Sequence, residues 1–332
     1  MVGVAAALGG LLAAPAWAGY NQYGLGMDIQ TGTVSNGALN VQTVNRLWNN
    51  TTPGANDQSP NTYSHSFDGI TCDDYAAAWL VTTVYGGSAL NTARITATVN
   101  GHTIASPVVG NAGGVYDTNP NVYGSSTAGV WVLSIPVSPS YLNTNGATND
   151  VSVTVSDKTK GATSYFDGRS YYQALVTVSQ TAGLNNTLSY AFAAGGGDIG
   201  TGTGYLNSRT LDMGGIGSRT VTRARAHAIY AYGDYGQADQ LLLNGVSLAG
   251  NDAANHNNND TSVNYPADIL DVDAMSGLAL SGNNQLTFST TGESSLRPEL
   301  AILEVTQTPE PATLGLVALG VFGLLRRSRG SA

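Results

Sequence analysis

The chain has 332 residues, of which only 11% are charged, a net charge of −9 and a single cysteine, Cys72. Lysine is confined to Lys158 and Lys160, so the body of the chain has no basic footprint for nucleic acid, and a lone thiol excludes an intrachain disulfide. The fold must therefore rest on its core, and with 42 glycines and 17 tyrosines the composition suits strands and turns better than helices.

The first element is an apolar stretch of small residues over 2–14 followed by Ala16-Trp17-Ala18. This is the pattern of a secretory signal peptide helix cut after Ala18, its cleavage set by the small residues Ala16 and Ala18. No Lys or Arg precedes the stretch, so the natural start is expected upstream or is truncated.

Short alternating strands then follow in two similar series. In the first, a strand over 78–85 precedes Ile95, Ala97 and Val99, which alternate with polar residues and lead into Asn100-Gly101; Trp131, Leu133, Ile135 and Val137 alternate next. In the second, a strand over 224–232 precedes Leu241–Leu243 and Asn244-Gly245, with Ile269 and Val272 after them. Each Asn-Gly pair suits a tight hairpin, because both central positions tolerate positive φ. Asn149-Asp150-Val151 reads against Asn283-Asn284-Gln285, and Ala174–Gln180 reads position by position against Ala301–Gln307. Alternating strands of this length need a second sheet to bury the apolar face. The expectation is an all-β protein with two tandem antiparallel β-sandwich domains of jelly-roll or Ig-like type. Their spans are 19–181, including an N-terminal extension, and 182–307.

The last element, 308–332, has three parts. Pro309-Glu310-Pro311 delays any helix until after Pro311. The apolar run 312–325 covers about 21 Å as a helix, short against a hydrocarbon core of about 30 Å. Arg326, Arg327 and Arg329 then place the chain end on the cytoplasmic side. Together these parts resemble the PEP-CTERM sorting signal of exported bacterial proteins. The resemblance implies passage through the secretion translocon and a transient hold in the inner membrane by a short transmembrane helix. Cleavage near the motif by an exosortase, a membrane protease-like enzyme, would follow, with release to the cell surface or beyond. The mature chain would run from about Gly19 to about Thr308. Val84-Tyr85-Gly86-Gly87, Val99-Asn100-Gly101-His102, Ala194–Asp198 and Leu296–Leu303 further resemble an uncharacterised surface-protein domain of archaea and bacteria, for which no activity is implied.

Residue chemistry offers little for catalysis. His65, His102, His227 and His256 are scattered, no Gly-x-Ser-x-Gly elbow occurs, and no His-Glu-x-x-His or Cys-x-x-Cys pair is present. No catalytic residue and no required cofactor is expected. Calcium is the candidate metal, since it takes six to eight oxygen ligands. Its candidate ligands are Asp268, Asp271 and Asp273, with Asp73, Asp74, Asp252 and Asp260 as further carboxylates. Tyr165, Tyr171 and Tyr172 around Asp167-Gly168-Arg169 are candidates for holding a sugar ring, although tyrosines on a strand also pack across neighbours. The expected role is a noncatalytic structural or adhesive component of the cell surface or extracellular matrix, with other surface proteins as partners. The alternative is a carbohydrate-binding module for exopolysaccharide.

Overall fold

A computed structural model describes residues 27–45, 60–88, 90–110, 129–161, 166–196, 199–201, 206–215, 220–231, 238–250, 253, 267–292 and 296–308. The expected signal peptide with Ala16 and Ala18, Asp252, Asp260, Tyr165 and the tail from Pro309 lie outside them. Within them the protein is all-β and its strand pairs are antiparallel. No helix among the described residues is long and apolar enough to cross a membrane.

The strands, in chain order, are β1 (Met27–Ser35), β2 (Gly37–Asn45), β3 (Asn61–Phe67), β4 (Asp74–Tyr85), β5 (Thr92–Val99), β6 (His102–Ala105), β7 (Val108–Gly110), β8 (Val130–Pro136) and β9 (Asn149–Thr159). They continue as β10 (Arg169–Gln180), β11 (Thr187–Gly195), β12 (Ser208–Asp212), β13 (Val221–Ala231), β14 (Asp239–Leu243), β15 (Val246–Ser247), β16 (Asp268–Asp273), β17 (Gln285–Thr290) and β18 (Arg297–Gln307). They form four sheets, in the orders β3-β9-β5-β6, β2-β10-β4-β8, β1-β11-β18-β13-β16 and β12-β17-β14-β15. The first order repeats in the fourth and the second repeats in the third, strand for strand, with β1 as an added edge strand and β7 as an added partner of β5.

Core membership gives the stacking. One apolar cluster draws on the first two sheets and also takes Leu188, Phe192, Ile229, Leu300 and Ile302 from the third. The second cluster takes Ala226, Ala228, Ala301, Leu303 and Val305 from the third sheet and Leu211, Leu241, Leu286 and Phe288 from the fourth. Successive side chains of a strand point to opposite faces, so the third sheet is buried on both. The four sheets are thus layered in the order given. This explains the residue patterns: outer strands such as β5 alternate between buried and half-buried positions, whereas inner β10 is buried from Arg169 through Ser179. A strand covered on both sides reads as a near-continuous apolar run.

The contact between the two inner sheets is specific. Trp79 of β4 stacks on Phe192 of β11 with ring centroids 4.5 Å apart, meets Tyr190 edge-on at 6.0 Å, and donates its indole N–H to Gln30 Oε1 at 3.2 Å. Asn45 donates to the carbonyl of Ala267 at 2.7 Å, and the Thr83 hydroxyl donates to the fully buried Glu299 carboxylate. The chain also crosses between these sheets before residue 181. β1 lies beside β11 while β2 lies beside β10, and the Asn36 bend is bonded to the parallel link 181–186 through Asn36 N–H to Asn186 O and Thr181 N–H to Asn36 O.

The duplication extends to individual hydrogen bonds. Asn100 and Asn244 both sit at positive φ before a glycine at positive φ. Asn100 Nδ2 donates to Tyr141 O and Asn149 Oδ1, its Oδ1 accepts from Asp150 N–H, and Asn149 Oδ1 also accepts from Asn143 N–H. Asn244 Nδ2 likewise donates to Gly277 O and Asn284 Oδ1, its Oδ1 accepts from Gln285 N–H, and Asn284 Oδ1 accepts from Ala279 N–H. The partner of Asn149 is therefore Asn284, one residue on from the match read in the sequence. The same slip affects the closing strands. Leu175 and Leu303 face the outer sheets of their respective copies, so Ala174 corresponds to Ile302 and not to Ala301. A one-residue slip exchanges the two faces of a strand, so a match of letters alone could not fix it.

Candidate functional site

The tyrosines proposed for a sugar ring are in the core. Tyr171 is buried with its ring 6.1 Å from that of Tyr85, and Tyr172 is fully buried on the opposite face of β10. Burial, with the nearby Glu299 charge, raises the Tyr172 phenol well above the usual tyrosine value. Neither ring presents a face to solvent, so this pair does not form the exposed platform considered above. Asp167 and Arg169 beside them pair at 2.5 Å, mostly buried, and the Arg169 guanidinium lies 5.3 Å from the Tyr85 ring. Burial raises the Asp167 carboxyl, and its Arg169 partner opposes that shift.

The aspartates of β16 diverge. Asp268 is buried on one face, beside the equally buried Tyr230 whose phenol is raised well above its usual value by burial and then by the Asp239 and Asp268 charges. Asp271 is on the other face, where Oδ1 accepts from Arg225 Nε at 2.6 Å and lies 3.3 Å from His227 Nδ1. Asp273 accepts the Met275 N–H at 3.0 Å and so begins the turn Met275–Gly277. The carboxylate of Asp271 is occupied by the Arg225 guanidinium and the His227 ring, and that of Asp273 by the backbone. No group of three metal-ligating side chains converges among the described residues.

Sequence reasoning missed the setting of His227. On β13 its Nε2 lies 3.4 Å from Glu304 of β18, opposite the Asp271 contact, and Arg223 approaches Glu304 at 3.8 Å. Both ring nitrogens therefore face carboxylates and not a hydroxyl or thiol nucleophile. Cys72 is buried, and desolvation raises its thiol.

The outer sheet β3-β9-β5-β6 carries a surface of a different kind. Its inward positions are Tyr63, Phe67, Val151, Val153, Val155, Ile95, Ala97 and Val99, and strand alternation turns Thr62, Ser64, Ser66, Ser152, Thr154, Thr96 and Thr98 outward. Thr62 and Thr154 hydroxyls are 3.0 Å apart, and Ser66 donates to Asp150 Oδ1 at 2.6 Å. A shallow depression of about 450 Å³ lies over this face, lined by Ser64, His65, Ser66, Thr98, Asp150 and Ser152 among others. The outer sheet of the second copy repeats the theme, with Thr210 and Thr287 hydroxyls 2.9 Å apart. Both faces offer hydroxyl donors and acceptors with few charges, the chemistry that matches an uncharged polyhydroxyl or amide-bearing surface.

At the C-terminal end, residues 307–329 match the PEP-CTERM protein-sorting motif. This is the sorting motif of an exported protein processed by an exosortase. No curated protein matches the chain. Among solved structures it is similar to BuGH86 in complex with neoagarooctaose, at 13% identity and a TM-score of 0.25, covering 84% of this chain and 34% of that one. It is also similar to peptide: N-glycanase F, at 10% identity and a TM-score of 0.29, covering 84% and 97%, and to the major capsid protein P2 of bacteriophage PM2, at 9% and 0.22, covering 83% and 100%. The chain thus spans about a third of the length of the BuGH86 structure. At these scores the likenesses bear on neither activity nor ligand.

Proposed function

We propose that this is a noncatalytic structural or adhesive protein of the cell surface or extracellular matrix, made of two β-sandwiches packed back to back. In this reading it is exported, held briefly in the inner membrane by residues 312–325, and released by an exosortase. The observation that carries the reading is the sorting motif at 307–329, which begins on the last residue of β18. The layered body supports it, since the central inner strands β4, β10, β13 and β18 are largely buried and the exposed sheets are polar and repetitive. Of the β16 carboxylates, Asp271 is held by Arg225 and His227 and Asp273 by the Met275 amide.

The test is deletion of 309–332 in the native host. Loss of surface display is the expected outcome; an unchanged surface level would overturn the reading. A second reading, binding of neutral exopolysaccharide, is favoured by the hydroxyl-lined depression on β3-β9-β5. A glycan array with the full chain separates the two. Reproducible binding that is lost in Ser152→Arg and retained in Tyr171→Phe would favour the glycan reading over a purely structural one.

A further inference from the structure

The end of the molecule from which the tail leaves is closely defined by the ladders. Gln307 pairs with Thr187 on one side and with Val221 on the other, and Thr308 N–H donates to Thr220 O at 3.0 Å. The body is therefore ordered up to the residue before Pro309. Only Pro309-Glu310-Pro311 separates it from the apolar run, and three residues reach at most about 10 Å.

Several connections share that end. Thr187 starts β11, so the link 181–186 lies beside Gln307. Ala274 N–H bonds Ala224 O near the start of β13, which puts the turn Met275–Gly277 there, and Asn244 Nδ2 to Gly277 O brings the Asn244-Gly245 hairpin next to it. In the first copy, Asn100-Gly101 and the turn Pro139–Tyr141 occupy the same end, because Gln180 of β10 pairs with Asp74 and Gly37, and Val137 N–H bonds Ala78 O.

The two copies use one hydrogen-bonded frame here but carry different tips. The shared bonds place Val246 where the first copy has His102, Met275 where it has Pro139, and Leu280 where it has Thr144. In the second copy the three tips are apolar and exposed, at 40%, 40% and 59%. Leu184 on the adjacent link is 44% exposed. In the first copy His102 stacks on Tyr141 with centroids 4.3 Å apart, and exposed Asp73 lies nearby. The copy that carries the tail is thus the one whose tips are apolar. Nothing in the duplication itself requires that difference, and several apolar tips gathered at one end, unlike a single one such as Leu206, suit contact with an apolar surface.

We infer that this end of the second copy is a membrane-facing surface, with Val246, Met275, Leu280 and Leu184 seated in the interfacial layer of the bilayer while the tail is held there. The inference rests on the reading of 309–332 as a membrane-held sorting signal. The short tether forces the body to within one Pro-Glu-Pro length of the lipid, and the apolar tips make that approach favourable. Docking would also fix the orientation in which the motif is presented, with the first copy's polar tips tilted towards water.

The test uses the full chain in vesicles of phosphatidylethanolamine and phosphatidylglycerol, in a Cys72→Ser background. An environment-sensitive fluorophore is attached in turn through Met275→Cys, Leu280→Cys, Leu206→Cys at the opposite end, and Leu316→Cys in the tail, and brominated lipids serve as quencher. The expected result is that the 275, 280 and 316 labels lose most of their emission while the 206 label keeps it. If 316 is quenched but 275 and 280 are not, the tail is in the bilayer and the inferred surface is wrong. Quenching at 206 as strongly as at 280 would also overturn it, since the body would then lie flat. If 316 is not quenched, the membrane reading of the tail fails first and the inference with it.

Discussion

The two copies agree where the chain turns and disagree where it meets something else. Asn100 with Asn149, and Asn244 with Asn284, make the same set of side-chain hydrogen bonds around the same pair of left-handed turn residues. The faces that leave each copy are different. The first turns Trp79, Val81 and Val176 towards the second, an apolar surface. The second answers with Phe192, Leu300 and Ile302, then at one end with Glu304, His227 and Arg225. A buried polar frame has to be satisfied in full to be tolerated, so it resists change, whereas an apolar face accepts substitution so long as volume and complementarity are kept.

The strongest way to break the comparison is to separate the copies. Trp79→Ala removes the Phe192 stack and the Gln30 bond and leaves a void between the inner sheets, an expected loss of about 3–5 kcal/mol. Urea unfolding of the full chain would show it as a lower midpoint; an unchanged midpoint would mean that the two copies do not stabilise each other. Alkaline pH probes the packing within each copy more gently. Burial raises Tyr63 in the first copy from 10.0 to about 12, and burial raises Tyr230 in the second well above 10.0. Both phenols stay protonated in the fold at a pH where the unfolded chain loses its protons. Their contribution is complete below pH 10 and falls as pH rises towards the folded values. Spectrophotometric titration is expected to show these tyrosines ionising only with unfolding. Normal ionisation near pH 10 in the folded protein would count against their burial.

How much of this was legible in the residues depended on which interaction fixes them. The Asn-Gly turns were readable, because positive φ at two successive positions restricts the residue types that fit. The strands β5, β9 and β10 were readable from alternation or from unbroken apolar runs. The early strands β1, β2 and β3 were not, since polar residues such as Asn, Gln, Thr and Ser interrupt them and their burial comes from neighbours supplied by distant β11, β10 and β9. The β1–β2 crossing between inner sheets carries an Asn-Gly pair too, Asn36-Gly37 with Asn36 at φ 53, but that pair reads as a hairpin, whereas the two strands enter different sheets. The aromatic set near Asp167 was legible as a cluster but not as core, because exposure depends on the sheet that covers Tyr172 from the second copy. His227 looked isolated in sequence, as Glu304 and Asp271 reach it only through β-pairing.

A sharper version of the comparison replaces equivalent residues. Asn149→Ala and Asn284→Ala each strip an acceptor from a side-chain amide and a backbone N–H, and each is expected to cost about 1–3 kcal/mol. The two values should agree within the error of urea unfolding; a several-fold difference would show that the frame is not energetically duplicated.

The smallest expected effect isolates the backbone. Gly101 and Gly245 have φ of +80 and +81, and an added Cβ would meet nothing within 4 Å at either. Gly101→Ala and Gly245→Ala therefore test left-handed strain without any packing term, and each should destabilise by about 1 kcal/mol. Equal losses would be expected from the shared turn geometry even though the neighbouring tips, His102 and Val246, differ. A loss at Gly245 that shrinks when vesicles are added, while the loss at Gly101 stays the same, would tie that turn to the inferred lipid-facing end, because docking would then oppose the same strain in one copy and not in the other.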